Sequence, residues 1–257
     1  MDPETDELSY TATEGKSFLV LSTGTISTPN DMGVITEMAG SQENNDDNGN
    51  PDDDAFLLDF GPSDDESGSL LPQWQIGESD PNDKIWLSFA TTAPLFTQGV
   101  AFDFAFFSSE WPTYHDTGFN DLFVVWAVTE YFVGNIAVVD GLPVTNTALG
   151  RHWTTSDDPD CPVDTEGPGY SCDEPQLAGT GFEGHAGTTW LRVNTDIKAE
   201  HSLELYFYLA DMVDDTRATS VLLDRFRWRC EPCIPSDSPL CLGPSPSQDC
   251  CGVVVPI

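Results

Sequence analysis

Basic side chains are scarce in this chain: 9 Lys and Arg stand against 44 Asp and Glu, a formal net charge of −35 over 257 residues. Like charge repels phosphate backbones and acidic lipid, so nucleic acid and anionic membrane are poor partners. A compact state with this charge suffers self-repulsion that salt or bound cations relieve. Histidine is scarce too. His115, His152, His185 and His201 are scattered, and no HExxH, GxSxG, P-loop or GxGxxG signature occurs. The chain therefore reads as a binding protein and not as an enzyme. Long apolar runs are missing as well. The most apolar stretch, Leu122 to Val139, contains Glu130 and a Gly134-Asn135 turn signal, which fits two short strands better than a membrane-spanning helix. No stretch shows sustained helical periodicity, and no repeat of about 20–50 residues is visible. The opening Met1-Asp2-Pro3-Glu4 is polar and acidic and does not read as a targeting segment.

What is present is a core. Hydrophobic residues make up 39% of the chain, with 15 Phe and 7 Trp, too many large apolar groups for a disordered acidic polymer. Alternation is clearest in Gly99 to Phe107, where Val100, Phe102, Phe104 and Phe106 share one face. Asp103 falls on the other face, where it need not be a buried charge. Further strands are expected at Ser17–Thr23, Ala55–Phe60, Lys84–Ala90, Leu122–Val128, Asn135–Val139, Thr188–Asn194, Ser202–Ala210 and Ser220–Trp228. Short strands broken by Gly, Pro and Asp loops predict an all-β fold, an antiparallel sandwich of jelly-roll type with long acidic loops. Three segments follow: a flexible leader over 1–15, the sandwich over 16–229, and a Cys- and Pro-rich tail over 230–257.

The seven cysteines point away from the cytosol. Cys161 and Cys172 share an acidic loop, while Cys230, Cys233, Cys241, Cys250 and Cys251 crowd the tail. With no histidine in that tail, a disulfide framework is the expected reading: one Cys161–Cys172 bridge and two bridges among the last five. An odd count leaves one thiol free or paired between chains. Zinc or redox use of Cys230-Glu-Pro-Cys233 is the weaker alternative. The extracellular assignment rests on these cysteines and on composition.

Two segments resemble a known family. Phe106-Phe107-Ser108-Ser109-Glu110-Trp111-Pro112-Thr113-Tyr114, with Phe119-Asn120-Asp121-Leu122-Phe123 after it, is similar to the hallmark of the choice-of-anchor L domain. Leu209-Ala210-Asp211-Met212-Val213-Asp214, leading to Val221-Leu222-Leu223, resembles that family's second motif, and the opening Phe18 to Gly24 is compatible with it. Together these span roughly residues 16 to 229. The chain departs from the family at Ala218-Thr219, where an Asp-Ser pair is usual, so a carboxylate role there is in doubt. The resemblance implies a secreted bacterial surface or matrix protein with no established enzymatic activity.

Glu110, Asn120, Asp121, Asp211 and Asp214 are hard oxygen donors at strand ends, the residue types that suit Ca²⁺. The alternative is that Glu110 and Asn120 satisfy backbone groups at a corner while Asp211 and Asp214 shape a turn. Asp103 and Asp224 are second-tier candidates, His115 is a possible extra ligand, and the loop from Ser41 to Asp54 is a solvated segment or a weak cation site. Glu110 with Asp121 or Asp211 would be the pair for glycoside hydrolysis, the least favoured reading. Trp74, Trp86, Trp111, Tyr114 and Trp153 are candidates for an aromatic sugar platform. The expected function is that of a calcium-binding structural or adhesive protein of a cell surface, matrix or filament. Its partner would be another copy of itself or a surface glycan. The alternative is a calcium-dependent carbohydrate-binding module.

Overall fold

The structure is a computed structural model, and it describes residues 10–24, 81–110, 114, 117–139, 141–149, 182, 186–212, 217–242 and 247–254. In chain order the strands are β1 (Leu19–Ser22), β2 (Pro81–Thr92), β3 (Gly99–Ser108), β4 (Leu122–Thr129), β5 (Val133–Asn135), β6 (Val138–Val139), β7 (Leu142–Thr145), β8 (Ala186–Gly187), β9 (Leu191–Asp196), β10 (Ser202–Met212), β11 (Thr219–Arg229) and β12 (Gly252–Val254). One short helix, α1, spans Asn146–Leu149.

Two antiparallel sheets pack face to face. The first runs β1-β11-β3-β9-β12, with β8 against β3; the second runs β2-β10-β4-β7-β6, with β5 against β4. Successive long strands cross from one sheet to the other, and early strands pair with late ones: β1 with β11, β2 with β10, β3 with β9. This nested order is compatible with the jelly-roll type, and the antiparallel sandwich expected from the sequence is present. The expected strand at Ala55–Phe60 lies outside the described residues. β7, β8 and β12 escaped the sequence reading. β7 contains Pro143, β8 is only Ala186-Gly187, and β12 is only Gly-Val-Val near the end of the tail.

Period-two alternation places the core. Phe102, Phe104 and Phe106 of β3, Phe123 and Val125 of β4, Leu205, Phe207 and Leu209 of β10, and Val221 and Leu223 of β11 all face the intersheet space. Phe102 meets Phe207 with ring centroids 5.1 Å apart, and Phe104 meets Phe123 at 5.4 Å. Each such fully buried side chain contributes roughly 1.5–3 kcal/mol. The outer faces are not bare. Trp126, Tyr208 and Met212 form a cluster on the second sheet, and Phe107, Phe182 and Leu222 one on the first. In β11 the register shifts between Asp224 and Arg227, with Arg225 at φ 53°. A bulge adds a residue and reverses parity. Leu223 faces in before it, and Phe226 and Trp228 pack inward after it.

Three sequence expectations need correction. Asp103 does occupy the face opposite the core phenylalanines, yet it is only 1% exposed. Its charge is balanced by Arg192, whose Nε and Nη2 donate to the two carboxylate oxygens at 2.7 and 3.2 Å. Asp224 is also engaged elsewhere: it accepts from the backbone of Thr13 and Glu14 at 2.6 and 3.0 Å. Neither second-tier candidate belongs to a metal cluster among the described residues. Residues 10–15 of the expected flexible leader are likewise held in place. Tyr10 packs edge-on against Phe107 at 4.9 Å and donates its buried hydroxyl to the Thr188 carbonyl. Trp190 Nε1 donates to the Thr11 carbonyl at 3.1 Å.

The tail carries the two expected bridges, Cys233–Cys251 and Cys241–Cys250, and Cys230 is a free, exposed thiol. It also adds β12 to the first sheet, so bridges and strand pairing hold it together. Cys161 and Cys172 lie outside the described residues. No helix among the described residues is long and apolar enough to cross a membrane.

Candidate metal centre at one end of the sandwich

The core rows end in carboxylates. Along β3 the inward positions run Phe104, Phe106, Ser108 and then Glu110, just past the strand. Along β4 they run back from Val125 through Phe123 to Asp121, and along β10 they run Leu205, Phe207, Leu209 and Asp211. The pairings Ala210↔Leu122 and Thr219↔Ser108 bring these ends to the same end of the sandwich. Glu110, Asp121 and Asp211 are 1%, 0% and 2% exposed. One carboxylate oxygen from each lies within 4.8 Å of the other two.

Local bonds fix this arrangement. Glu110 N donates to Ser108 Oγ at 3.1 Å, and Ser109 donates through both its amide and its hydroxyl to the Ala218 carbonyl at 3.1 and 2.9 Å. Asp121 Oδ1 accepts from the Met212 amide at 3.2 Å, and its Oδ2 accepts from the Thr219 hydroxyl. Thr219 N in turn donates to Thr23 Oγ1 at 2.9 Å, which ties β1 to the same corner. Gly24 passes so close to Ala218 that a Cβ built on it would sit 2.4 Å from the Ala218 Cβ.

Three ionised carboxylates at this spacing repel one another by about 3–4 kcal/mol per pair at an effective dielectric near 20. A divalent cation offsets that repulsion. Two oxygens bound to one Ca²⁺ at about 2.3–2.6 Å are never more than roughly 5.2 Å apart, so a 4.8 Å spread fits a single ion between them. The donor set is all oxygen, which suits Ca²⁺ or Mg²⁺ and not a softer metal.

Of the five residues expected at the site, three are brought together. Asn120 is buried beside Asp121, and Asp214 lies outside the described residues. Thr219 was missed as a site residue. Its hydroxyl donates to Asp121 Oδ2. Period two counted back from Leu223 through Val221 puts Thr219 on the inward row, a signal available in the sequence. A second grouping of possible ligands, Asp196 with Cys233 and Cys251, is no metal site, because those cysteines form a disulfide.

Of the aromatic residues named as a sugar platform, Trp86 and Tyr114 are among the described residues. Trp86 stacks on Tyr208 with centroids 6.5 Å apart, whereas Tyr114 packs edge-on against Phe119 at 5.2 Å. Trp74, Trp111 and Trp153, together with His115 and the loop from Ser41 to Asp54, lie outside the described residues. The chain matches no protein-family model, and no curated protein matches it.

Proposed function

We propose that the chain is a non-enzymatic, extracellular, calcium-binding structural or adhesive protein that assembles with copies of itself on a cell surface, in a matrix or in a filament. The observation that carries this reading is the convergence of Glu110, Asp121 and Asp211, buried at the end of the core, with oxygens within 4.8 Å of one another. A cation there would tie the end of β3 in one sheet to β4 and β10 in the other. Loss of the ion would leave like charges where the two sheets must close.

Burial also argues against glycoside hydrolysis. That chemistry needs a sugar and, in the inverting case, a water between two carboxylates. Side chains no more than 2% exposed do not admit a polysaccharide. The disulfides favour an oxidising compartment, and the resemblance to the choice-of-anchor L domain points to the same setting.

Self-assembly is supported by β2. This strand of 12 residues pairs with β10 on one side and with no other described strand on its opposite edge. Long uncovered edges recruit strands from other chains. Charge repulsion at −35 per copy opposes contact, so bridging or screening cations would be needed. The reading is tested by isothermal titration of the chelator-stripped protein with CaCl₂. Saturable binding that Asp211→Asn abolishes supports it, and no heat above that of matched NaCl overturns it.

A further inference from the structure

The opposite end of the same inward rows is open and differently equipped. A cleft of about 450 Å³ lies where β3 begins, β4 ends, β9 ends and β10 begins, about 25 Å along β4 from the carboxylates by strand rise. Its size falls within the range of roughly 300–1,000 Å³ usual for small-ligand sites. Tyr131 stands on its rim with 57% of its surface exposed, a large ring left in water. Lys198 Nζ lies 3.6 Å from the centre of that ring and has no carboxylate partner among the described residues. In a chain with 44 acidic and 9 basic side chains, an ammonium set on an aromatic ring instead of an acid is unusual.

The polar groups around the ring are held in position. Asp196 accepts from the Cys233 amide at 2.7 Å through Oδ1. Gln98 Nε2 donates to the Cys230 carbonyl at 2.8 Å, which orients its amide. His201 Nδ1 lies 2.5 Å from Glu130 Oε2, and its ring is 5.0 Å from that of Tyr131. The turn joining Lys198 to His201 passes through Glu200 at φ 65°, a backbone region in which non-glycine residues are strained. The neighbouring turn, closed by Thr97 N donating to the Pro94 carbonyl at 3.2 Å, shows the same strain at Phe96, φ 68°, whose side chain is 83% exposed. Two strained turns thus frame one cleft.

We infer that this cleft binds a neutral saccharide, with one sugar ring packed against the exposed part of Tyr131 that Lys198 leaves uncovered and its hydroxyls bonded by Lys198, Asp196 and Gln98. An aromatic ring supplies an apolar face for the C–H side of a pyranose, and an ammonium, a carboxylate and an amide together offer both donors and acceptors to the hydroxyls. A polyanionic glycan is disfavoured by Asp196 and by the field of the whole chain. Phe96, next to Thr97 on the cleft wall, is exposed for contact with a saccharide longer than one unit. The site does not rest on the calcium reading, since no residue is shared with the carboxylate end.

The test is titration of the full chain with cellohexaose, mannohexaose and chitohexaose, with polygalacturonate as the acidic control, followed by calorimetry and saturation-transfer NMR. At least one neutral hexaose should bind one-to-one. Tyr131→Ala should weaken it at least ten-fold at unchanged melting temperature, Tyr131→Trp should restore it, and Lys198→Ala should weaken it without affecting the fold. Affinity should be equal in calcium and in chelator, measured below the melting temperature. Absence of binding by all three neutral hexaoses, binding of polygalacturonate alone, or affinity indifferent to Tyr131→Ala would each overturn the proposal. Loss of calcium binding with saccharide binding intact would overturn only the metal reading.

Discussion

The Thr219 hydroxyl donates to the Asp121 carboxylate, joining the first residue of β11 in one sheet to the residue before β4 in the other. Among the described residues no main-chain ladder connects the two sheets at this point, so side chains close this end of the sandwich. The same carboxylate accepts from Met212 N through its other oxygen. Asp121 therefore serves β4, β10 and β11 together. Thr219→Val should destabilise the fold by about 1–3 kcal/mol, because it strips a buried carboxylate of a donor. Thr219→Ser should cost much less. Urea denaturation of the three proteins checks this, and equal midpoints for Val and Ser would remove the hydroxyl from the account.

Calcium removal should lower the melting temperature. A ligand present at ~100 times its dissociation constant adds about 2.7 kcal/mol to a folded state that alone binds it. For a domain of this size that corresponds to roughly 5–10 °C. Calorimetry in CaCl₂, in chelator and in NaCl of equal ionic strength is the measurement. Asp211→Asn should lose most of the calcium increment, whereas NaCl should not reproduce it.

Acid should release the N-terminal strap before the sandwich. Burial raises the Asp224 pKa, but donation from Glu14, Arg225 and Thr13 outweighs it, and the net shift is downward. A carboxyl with a depressed folded pKa stabilises above its unfolded value, near 3.9, and that contribution fades as pH falls through the lower folded value. Amide protection at Thr13 and Glu14, taken relative to the intrinsic exchange rate at each pH, should therefore fall below about pH 4, ahead of protection in β3. Asp224→Asn should show fast exchange there at neutral pH.

Breaking the buried ion pair should cost more than replacing it. Arg192→Met leaves Asp103 buried with Arg225, whose Nη1 lies 3.8 Å from its Oδ2, as the remaining cationic partner, so the loss should approach but not exceed about 3–5 kcal/mol. The double variant Asp103→Leu with Arg192→Met should recover much of that loss. Additive losses in the double-mutant cycle would show that the two groups do not depend on each other.

Self-association should follow the β2 edge. A lysine is an effective block on an exposed strand edge, and Leu87, an exposed residue in the middle of β2, is the place to put one. Light scattering in calcium should show large assemblies for the native chain and monomers for Leu87→Lys, with the same melting curve. Assemblies of equal size in both would exclude this edge. In the same samples, alkylation without reductant should label Cys230, and peptide mapping should recover Cys233–Cys251 and Cys241–Cys250 intact.

Period two is a local property, and the sequence by itself determined what depends on it. Phe102, Phe104 and Phe106 had to share a face because successive side chains on a strand alternate, and the sandwich followed from several such strands. The donor chemistry was also legible, since Glu110, Asp121 and Asp211 are hard oxygen ligands wherever they lie. Strand order is not local, and only the tertiary structure decided which row ends meet. The pairing of β10 with β4 and of β11 with β3 put three carboxylates and Thr219 at one end, and Tyr131, Lys198 and Asp196 at the other. The fate of Asp103 also depended on a neighbour: alternation set it on the outer face, but Arg192 comes opposite it only through the β3–β9 register. Cross-strand contacts depend on registers set by the packing of the whole core, and no window of sequence contains them.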